Sequence, residues 1–221
     1  MRAQATLRPL LAASLVSVAV AVVGCGGGGD SPTPAAPAPA PTPNPPPPPP
    51  TTAVNVSVID GALRNVRVCL DVNGNGGCDS GEPAAVTDPA GAATLTVPND
   101  LLGRHPVVAV VGTDAVDADF GPVKLAYTMT APADKTAVVS PLTTLAQQLV
   151  QSVGLTSDAA DAQLQASGVT VSAYQNYVAR RATEKASADA GLVAATVAAT
   201  LQQQFAAWPA PLASQTRQAP R

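Results

Sequence analysis

The stretch CLDVNGNGGCDSGEP, residues 69–83, combines acidic and amide side chains with four glycines and two cysteines. Counted from Asp71, it matches the calcium-loop pattern D-x-[DN]-x-[DN]-G-x5-E, in which alternate residues turn their oxygens inward. Gly76 occupies the position where such a loop turns sharply. The pattern predicts a Ca2+ site, and the candidate ligands are Asp71, Asn73, Asn75, Gly77, Asp79 and Glu82.

A plain glycine-rich turn is the alternative interpretation of this stretch. Asn73-Gly74 and Asn75-Gly76 are both common turn dipeptides. A plain turn, however, would not require carboxylates at Asp79 and Glu82. Strand-like sequence enters and leaves the loop, so the helix-loop-helix arrangement of an EF-hand is not predicted.

The residues around the loop alternate between apolar and polar, as in half-buried strands. Turn signals such as Asp60-Gly61 and the segment 88–91 separate the alternating runs. Short strands with turns between them indicate a small β-sandwich, which we place at residues 54–135. The predicted strands are residues 54–59, 66–70, 92–97, 106–111 and 124–130.

The N-terminus has the composition of an export signal. Arg2 and Arg8 precede an uncharged apolar run at residues 10–23, which is too short for the roughly 20 apolar residues of a membrane-spanning helix. The run ends in Val22-Val23-Gly24-Cys25, which resembles the lipobox of bacterial lipoproteins. This resemblance implies a signal peptide at 1–24, lipidation of Cys25 and a lipid anchor in the outer membrane.

Two further cysteines remain after Cys25 is assigned to the lipid. In an exported protein, Cys69 and Cys78 are expected to form a disulfide, which would hold the acidic loop curled. Between Cys25 and the β module, residues 25–53 are rich in glycine and proline. Proline prevents regular helix or sheet, so we expect a disordered, extended spacer there.

Helical periodicity begins after the β module, at residues 136–208. Ser140-Pro141 is a typical helix start, and Gly154 ends an apolar stripe. Further helices are expected with caps at Ser157 and Ser172, and an interruption at Gly191. The segment predicts three to four helices whose aromatic residues, including Phe205 and Trp208, pack in a core, followed by a disordered tail at 209–221.

The β module has a family resemblance of its own. The segments GALRNVRVCLD, NGNGGCDSGEP and TDPAGAATL resemble carboxypeptidase-regulatory-like or prealbumin-like β modules. They are also similar to the calcium-binding B-type repeats of bacterial surface adhesins. VVSPLTTLAQQLV resembles a segment that follows such modules in proteobacterial surface lipoproteins. These resemblances imply binding or scaffolding, and they bring no catalytic residues.

Charge and composition argue against two broad functions. The chain has a net charge of −3, and removal of residues 1–24 takes away two arginines and leaves −5, so nucleic acid is not an expected partner. His105 is the only histidine, and common hydrolase motifs are missing from the sequence, so we expect no enzyme. The acidic residues Asp114, Asp117 and Asp119 and the pair Arg180-Arg181 are expected to be solvated.

The sequence therefore predicts an α+β protein with four successive parts after its signal peptide: spacer, β-sandwich, helices and tail. We expect a non-catalytic structural or adhesive lipoprotein of the bacterial outer membrane, facing the periplasm or the surface and stabilised by calcium and a disulfide. A carbohydrate-binding or accessory module of an envelope complex is the alternative. Its expected partners are the membrane, through the lipid anchor, and a cell-surface glycan or an envelope protein.

Overall fold

The computed structural model describes the backbone of residues 47–207 and the side chains of residues 47–204. The predicted signal peptide, Cys25, most of the spacer, the Phe205 side chain, Trp208 and the tail lie outside this range. Within it the fold is α+β, as predicted, with ten strands and four helices. None of the helices in this part of the chain is both long enough and apolar enough to cross a bilayer.

The first sheet has three strands in the order β10-β1-β5. Strand β1 (Thr51–Val58) pairs antiparallel with β5 (Ala92–Pro98) and parallel with the two-residue strand β10 (Val138–Val139). Alternation places the apolar residues of β1 and β5 on one buried face. Strand β1 begins three residues before the predicted strand, because Thr51, Thr52 and Ala53 continue the pairing with β5.

The second sheet has four antiparallel strands in the order β4-β3-β6-β9. They are β3 (Arg67–Leu70), β4 (Ala84–Val86), β6 (Val107–Val111) and β9 (Tyr127–Ala131). A small third sheet contains β2 (Leu63–Arg64), β7 (Val116–Asp117) and β8 (Gly121–Pro122).

The two larger sheets enclose one hydrophobic core in a sandwich-like arrangement. Aliphatic side chains from both sheets meet there, so burial of apolar surface is the main force that holds the sheets together. The principal members are Val56, Val58, Leu95, Val97, Val68, Leu70, Val107, Val111 and Met129.

Helix α1 (Pro141–Val153) begins and ends as the sequence predicts. Ser140 caps it in a reciprocal capping box with Thr143, and Gly154 ends it in the left-handed conformation, at φ 76°. The helix also covers the edge strand β9. Thr143 Oγ1 donates to the carbonyl of Thr130 at 2.7 Å, and the amide of Thr130 donates to Thr144 Oγ1 at 3.0 Å. These bonds satisfy backbone groups that an open sheet edge would expose.

The remaining helices are α2 (Ser157–Ala166), α3 (Tyr177–Arg180) and α4 (Lys185–Ala207). With α1 they surround a second hydrophobic cluster that includes Leu142, Leu164, Tyr177 and Ala194. Helix α4 also reaches the sandwich, because Leu201 packs against the first core.

Three details of the helix prediction are wrong. Thr156, rather than Ser157, caps α2, since its side chain accepts the amide of Ala159. Ser172 starts no helix, and Asn176 caps the short α3 instead. Helix α4 runs through Gly191 without interruption. A Cβ at Gly191 would lie only 3.8 Å from the ring of Tyr177, so the glycine lies where the helix packs on that side chain.

Candidate functional site

The acidic loop leaves the second sheet between β3 and β4. Its base is held by two backbone bonds, from Leu70 N to the carbonyl of Pro83 and from Asp71 N to the carbonyl of Pro106, both 3.0 Å. The predicted disulfide between Cys69 and Cys78 is present. Because β3 points Cys69 away from the sandwich core, the disulfide folds the loop back over the outer face of that sheet. The loop is therefore attached at both ends and in its middle.

Asp71 is the organising residue of the loop. It is only 3% exposed, yet its carboxylate is fully engaged. Oδ1 accepts the amides of Gly74 and Asn75 at 2.8 and 3.1 Å, and Oδ2 accepts the amide of Gly76 at 2.9 Å. Gly74 and Gly76 both have a φ of 74°, which glycine adopts without strain. The sequence thus curls the chain around one carboxylate.

Glu82 closes the loop from its other end. Its Oε1 accepts the amide of Val72 at 2.8 Å, and its Oε2 accepts the amide of Asp79 at 2.9 Å. The single side chain therefore joins the start of the loop to its last third. Charge-assisted bonds of this kind are about twice as strong as bonds between neutral groups.

The exposed residues of the loop converge on Asp79. The side-chain amides of Asn73 and Asn75 donate to Asp79 Oδ2 at 2.7 and 2.6 Å. Their oxygens accept backbone amides, from Asn75 and from Gly77 respectively. The carbonyl oxygen of Gly77 lies 3.2 Å from the Cys69 sulfur. The fold thus brings the six predicted ligand residues into one turn of chain, tied together by hydrogen bonds.

The kinds of oxygen in this loop suit calcium, but the carboxylates are not grouped as they would be around an ion. Carboxylate, amide and carbonyl oxygens are the ligands that Ca2+ prefers, and the loop supplies all three kinds. In residues 47–207, however, no group of three or more carboxylate, imidazole or thiol side chains is arranged to hold a metal ion. The acidic oxygens that face the loop interior accept N–H groups instead. The donor chemistry fits calcium, and in this structure hydrogen bonds hold the loop in its curled form.

The second acidic stretch, residues 114–119, is not simply solvated as the sequence predicted. Asp117 is 5% exposed and accepts the amides of Gly61 at 2.9 Å and Asp119 at 2.7 Å. Asp119 forms a two-bond ion pair with Arg181, which lowers the pKa of Asp119 and raises that of Arg181. Arg181 is exposed, as expected, and the ion pair with Asp119 is an addition to that expectation. This ion pair links the helical segment to the small third sheet.

A buried polar cluster, which the sequence did not indicate, lies beside Asp117. It contains Asp60, Tyr127 and Tyr177. The hydroxyl of Tyr127 lies 3.5 Å from Asp60 Oδ2. Burial, and then the charge of Asp117, raises the pKa of Asp60 from 3.8 to about 7. Burial, and then the charge of Asp60, raises the pKa of Tyr127 and Tyr177.

The sequence does not indicate this cluster, because Asp60-Gly61 has the pattern of an ordinary turn. Its members are far apart in the chain, and Tyr127 is 67 positions from Asp60. No short motif could connect them. The one available signal was a pair of tyrosines at apolar positions of a predicted strand and a predicted helix, since a buried tyrosine needs a partner for its hydroxyl.

Comparison with known proteins adds no family to this description. The chain matches no protein-family model, and no curated protein or solved structure is significantly similar to it.

Proposed function

We propose that this chain is a non-catalytic, lipid-anchored structural or adhesive module of the bacterial outer membrane, stiffened by calcium in the loop 71–82. One observation carries the calcium part of the proposal: Asp71 and Glu82 bracket a curled, disulfide-tied loop with six oxygen-bearing candidate ligands. Asp71, Asn73, Asn75, Asp79 and Glu82 would supply side-chain oxygens, and Gly77 would supply its carbonyl. Bound calcium would cross-link the loop and would neutralise part of its charge.

A calcium titration of the mature chain in mild detergent tests this part. The thermal midpoint should rise in calcium relative to a chelator, because a ligand at 100 times its dissociation constant stabilises the folded state by about 2.7 kcal/mol. Magnesium serves as the matched ion, and its smaller octahedral shell should give a smaller shift. Identical melting curves in calcium and chelator, with no bound metal by mass spectrometry, would rule the site out.

Two variants locate the ion within the loop. Glu82→Gln should weaken calcium binding more than Asn73→Ser, since it removes a charge and Asn73→Ser keeps an oxygen. Asp88→Asn is the matched control, because Asp88 also accepts backbone amides, from Ala90 and Ala92, in a turn outside the loop. Equal affinities for all three variants would place the ion elsewhere.

The anchor is supported by the basic residues, the apolar run and the lipobox-like sequence at Cys25. Several acyl chains on one residue give stable membrane attachment, as each buried CH2 contributes about 0.8 kcal/mol. Labelled palmitate should be incorporated into the wild-type chain in bacteria, and Cys25→Ala should abolish both the label and the recovery in membranes. Unchanged labelling in Cys25→Ala would refute this assignment.

A carbohydrate-binding or accessory role is the second candidate. It is favoured by Phe120, which is 72% exposed on the loop between β7 and β8 and lies beside a cavity. Exposed aromatic rings offer a flat apolar surface to a ligand. Glycan-array binding that is lost in Phe120→Ala would favour this role over a purely structural one.

A further inference from the structure

The loop 71–82 contains the two Asn-Gly pairs of the sequence, Asn73-Gly74 and Asn75-Gly76. Asparagine is a chemically labile residue, because its side-chain amide can be lost spontaneously. The reaction is fastest before glycine, which has no Cβ to hinder attack of its amide nitrogen on the preceding side chain. Both asparagines are exposed to water. The loop is therefore the part of the chain in which spontaneous deamidation has its best substrate.

Deamidation at such a pair needs no cofactor and consumes only water. The amide nitrogen of the glycine gives up its proton and attacks Cγ of the asparagine. A new C–N bond forms, and the side-chain nitrogen leaves as ammonia. Water then opens the resulting succinimide ring at either carbonyl, so the product is aspartate or isoaspartate. In isoaspartate the side-chain methylene has become part of the main chain.

A single carboxylate holds both attacking nitrogens in this structure. The amide of Gly74 donates to Asp71 Oδ1 at 2.8 Å, and the amide of Gly76 donates to Asp71 Oδ2 at 2.9 Å. Each bond has to break before the nitrogen can turn toward its asparagine. The negative charge of the acceptor strengthens both bonds, and it also opposes the loss of a proton beside it. Because Asp71 is buried, little water competes for its oxygens.

The side chains under attack are held as well. The Nδ2 groups of Asn73 and Asn75 donate to Asp79 Oδ2 at 2.7 and 2.6 Å. Their Oδ1 atoms accept the amides of Asn75 and Gly77 at 3.0 and 2.8 Å. Rotation of either side chain toward the attacking nitrogen would disturb both of its bonds. Hydrogen bonds therefore fix both reacting partners at each Asn-Gly pair.

We propose that Asn73 and Asn75 are deamidation sites that the curled loop protects, and that Asp71 is the residue that protects both. Opening of the loop frees the two glycine amides and lets the reaction start. Each event replaces an amide that donates to Asp79 with a carboxylate that repels it, so the modified loop curls less readily. The proposal depends on neither calcium in the loop nor the lipid anchor.

Timed incubation of the mature full chain in mild detergent, at mildly alkaline pH and with a chelator, tests the proposal. Peptide mass spectrometry measures the conversion of amide to carboxylate at the two asparagines, and an isoaspartyl methyltransferase labels the isoaspartate. We expect the folded wild type to react about tenfold or more slowly than the same chain unfolded in urea, because a bond to a charged group must break before attack. Equal rates in the folded and unfolded chains, or no reaction in the unfolded chain, would overturn the proposal.

Variants assign the protection to Asp71. Asp71→Ala should raise the rate at both sites about tenfold, since both amides lose their acceptor. Leu164→Ala, in the second hydrophobic cluster, is the control, because it destabilises the fold away from the loop and should leave the rate near that of wild type.

Asp71→Asn covers the case in which Asp71→Ala does not fold. It keeps the size of the side chain but only one acceptor oxygen, so it should release at least one of the two sites. An unchanged rate in both Asp71 variants, or an equal rise in Leu164→Ala, would overturn the proposal.

Discussion

The molecule contains two groups of acidic residues in which buried carboxylates are satisfied by hydrogen bonds to very different extents. In the loop 71–82, the carboxylates of Asp71 and Glu82 each accept backbone amides at both oxygens. In the buried cluster, Asp60 is almost as inaccessible as Asp71, yet one of its oxygens accepts no hydrogen bond from any residue that the structure describes. Burial is similar at the two sites, and the supply of hydrogen-bond donors differs.

Burial alone therefore does not decide how well an aspartate is accommodated in the fold. Asp71 sits where the glycine-rich chain turns three amides toward it, and each amide donates a hydrogen bond to its carboxylate. Asp60 is buried and lies close to the charge of Asp117, and both effects disfavour its ionised form, so its pKa rises to about 7. We therefore expect the loop to contribute stability and the cluster to reduce stability at high pH.

The largest expected effect is on pH dependence at Asp60. Its pKa is about 7 in the folded protein, against 3.8 for a solvated aspartate carboxyl. Between these values the folded state binds the proton and the unfolded state does not, so stability falls as pH rises from about 4 to about 7. The loss attributable to Asp60 should reach up to about 4 kcal/mol, from 1.36 kcal/mol per pKa unit.

Urea denaturation of wild type and Asp60→Asn across this pH range measures the effect. The variant should lack the loss and should be the more stable protein at about pH 8. Asp100→Asn, with an exposed carboxyl, provides the reference slope. Parallel pH profiles for wild type and Asp60→Asn would mean that the two acidic groups do not differ as described.

The next effect concerns Asp71 in the loop. Asp71→Ala removes the acceptor of three amides, and we expect a loss of about 2–3 kcal/mol, since bonds to charged groups contribute about 1.5–3 kcal/mol each and water replaces part of them. Denaturation in the presence of a chelator keeps calcium out of the result. Asp88→Ala removes two bonds from an exposed carboxylate and should cost less. Equal losses of stability in Asp71→Ala and Asp88→Ala would show that Asp71 does not organise the loop more strongly than an ordinary turn aspartate does.

The disulfide should contribute a similar or slightly smaller amount. The double variant Cys69→Ala and Cys78→Ala should lose about 2–3 kcal/mol, because the unfolded chain regains the entropy of a short closed loop. A reducing agent should shift wild type by the same amount and leave the double variant unchanged. A larger loss of stability, together with faster amide hydrogen exchange in the second sheet, would mean that the disulfide organises the sheet as well as the loop.

The smallest effect tests the helix face against Tyr177. Gly191→Ala should stabilise the protein by about 0.5–1 kcal/mol, since alanine is the better helix former and its methyl would make an ordinary contact with the ring. Gly154→Ala should do the reverse, as Gly154 has a φ of 76°. Thermal melts of the two variants should show a raised midpoint for Gly191→Ala and a lowered midpoint for Gly154→Ala. Destabilisation by Gly191→Ala would show that Tyr177 cannot accept the methyl group.

Local patterns predicted the long elements well. Strands β1 and β5 alternate over five or more residues, β6 is a continuous apolar run, and α1 has a cap, an N-terminal proline and a C-terminal glycine. Strands of two or three residues, such as β7 and β10, are too short to show a period. The sequence predicts an interruption at Gly191, but α4 continues through it, because packing on Tyr177 outweighs a propensity cost of about 1 kcal/mol.

The same contrast applies to the two candidate sites. The loop 71–82 could be predicted from the sequence because its residues are contiguous and because a calcium loop is defined by the spacing of its oxygen-bearing residues. The buried cluster exists only after folding, because turns and strands bring Asp60, Asp117 and Tyr127 together from distant positions. The calcium and lipid assignments stay predictions, and the experiments above address each of them.

The hydrogen bonds from Thr143 and Thr144 of α1 to Thr130 of β9 bear on how the protein resists aggregation. A chain cut after residue 135 would lose α1 and β10 together. Strand β9 would then expose the amide and carbonyl of Thr130, and β1 would lose its parallel neighbour. Bare strand borders are common starting points for intermolecular β-sheet growth. Helix α1 thus covers a strand edge that would otherwise be open to β-sheet pairing between copies of this protein.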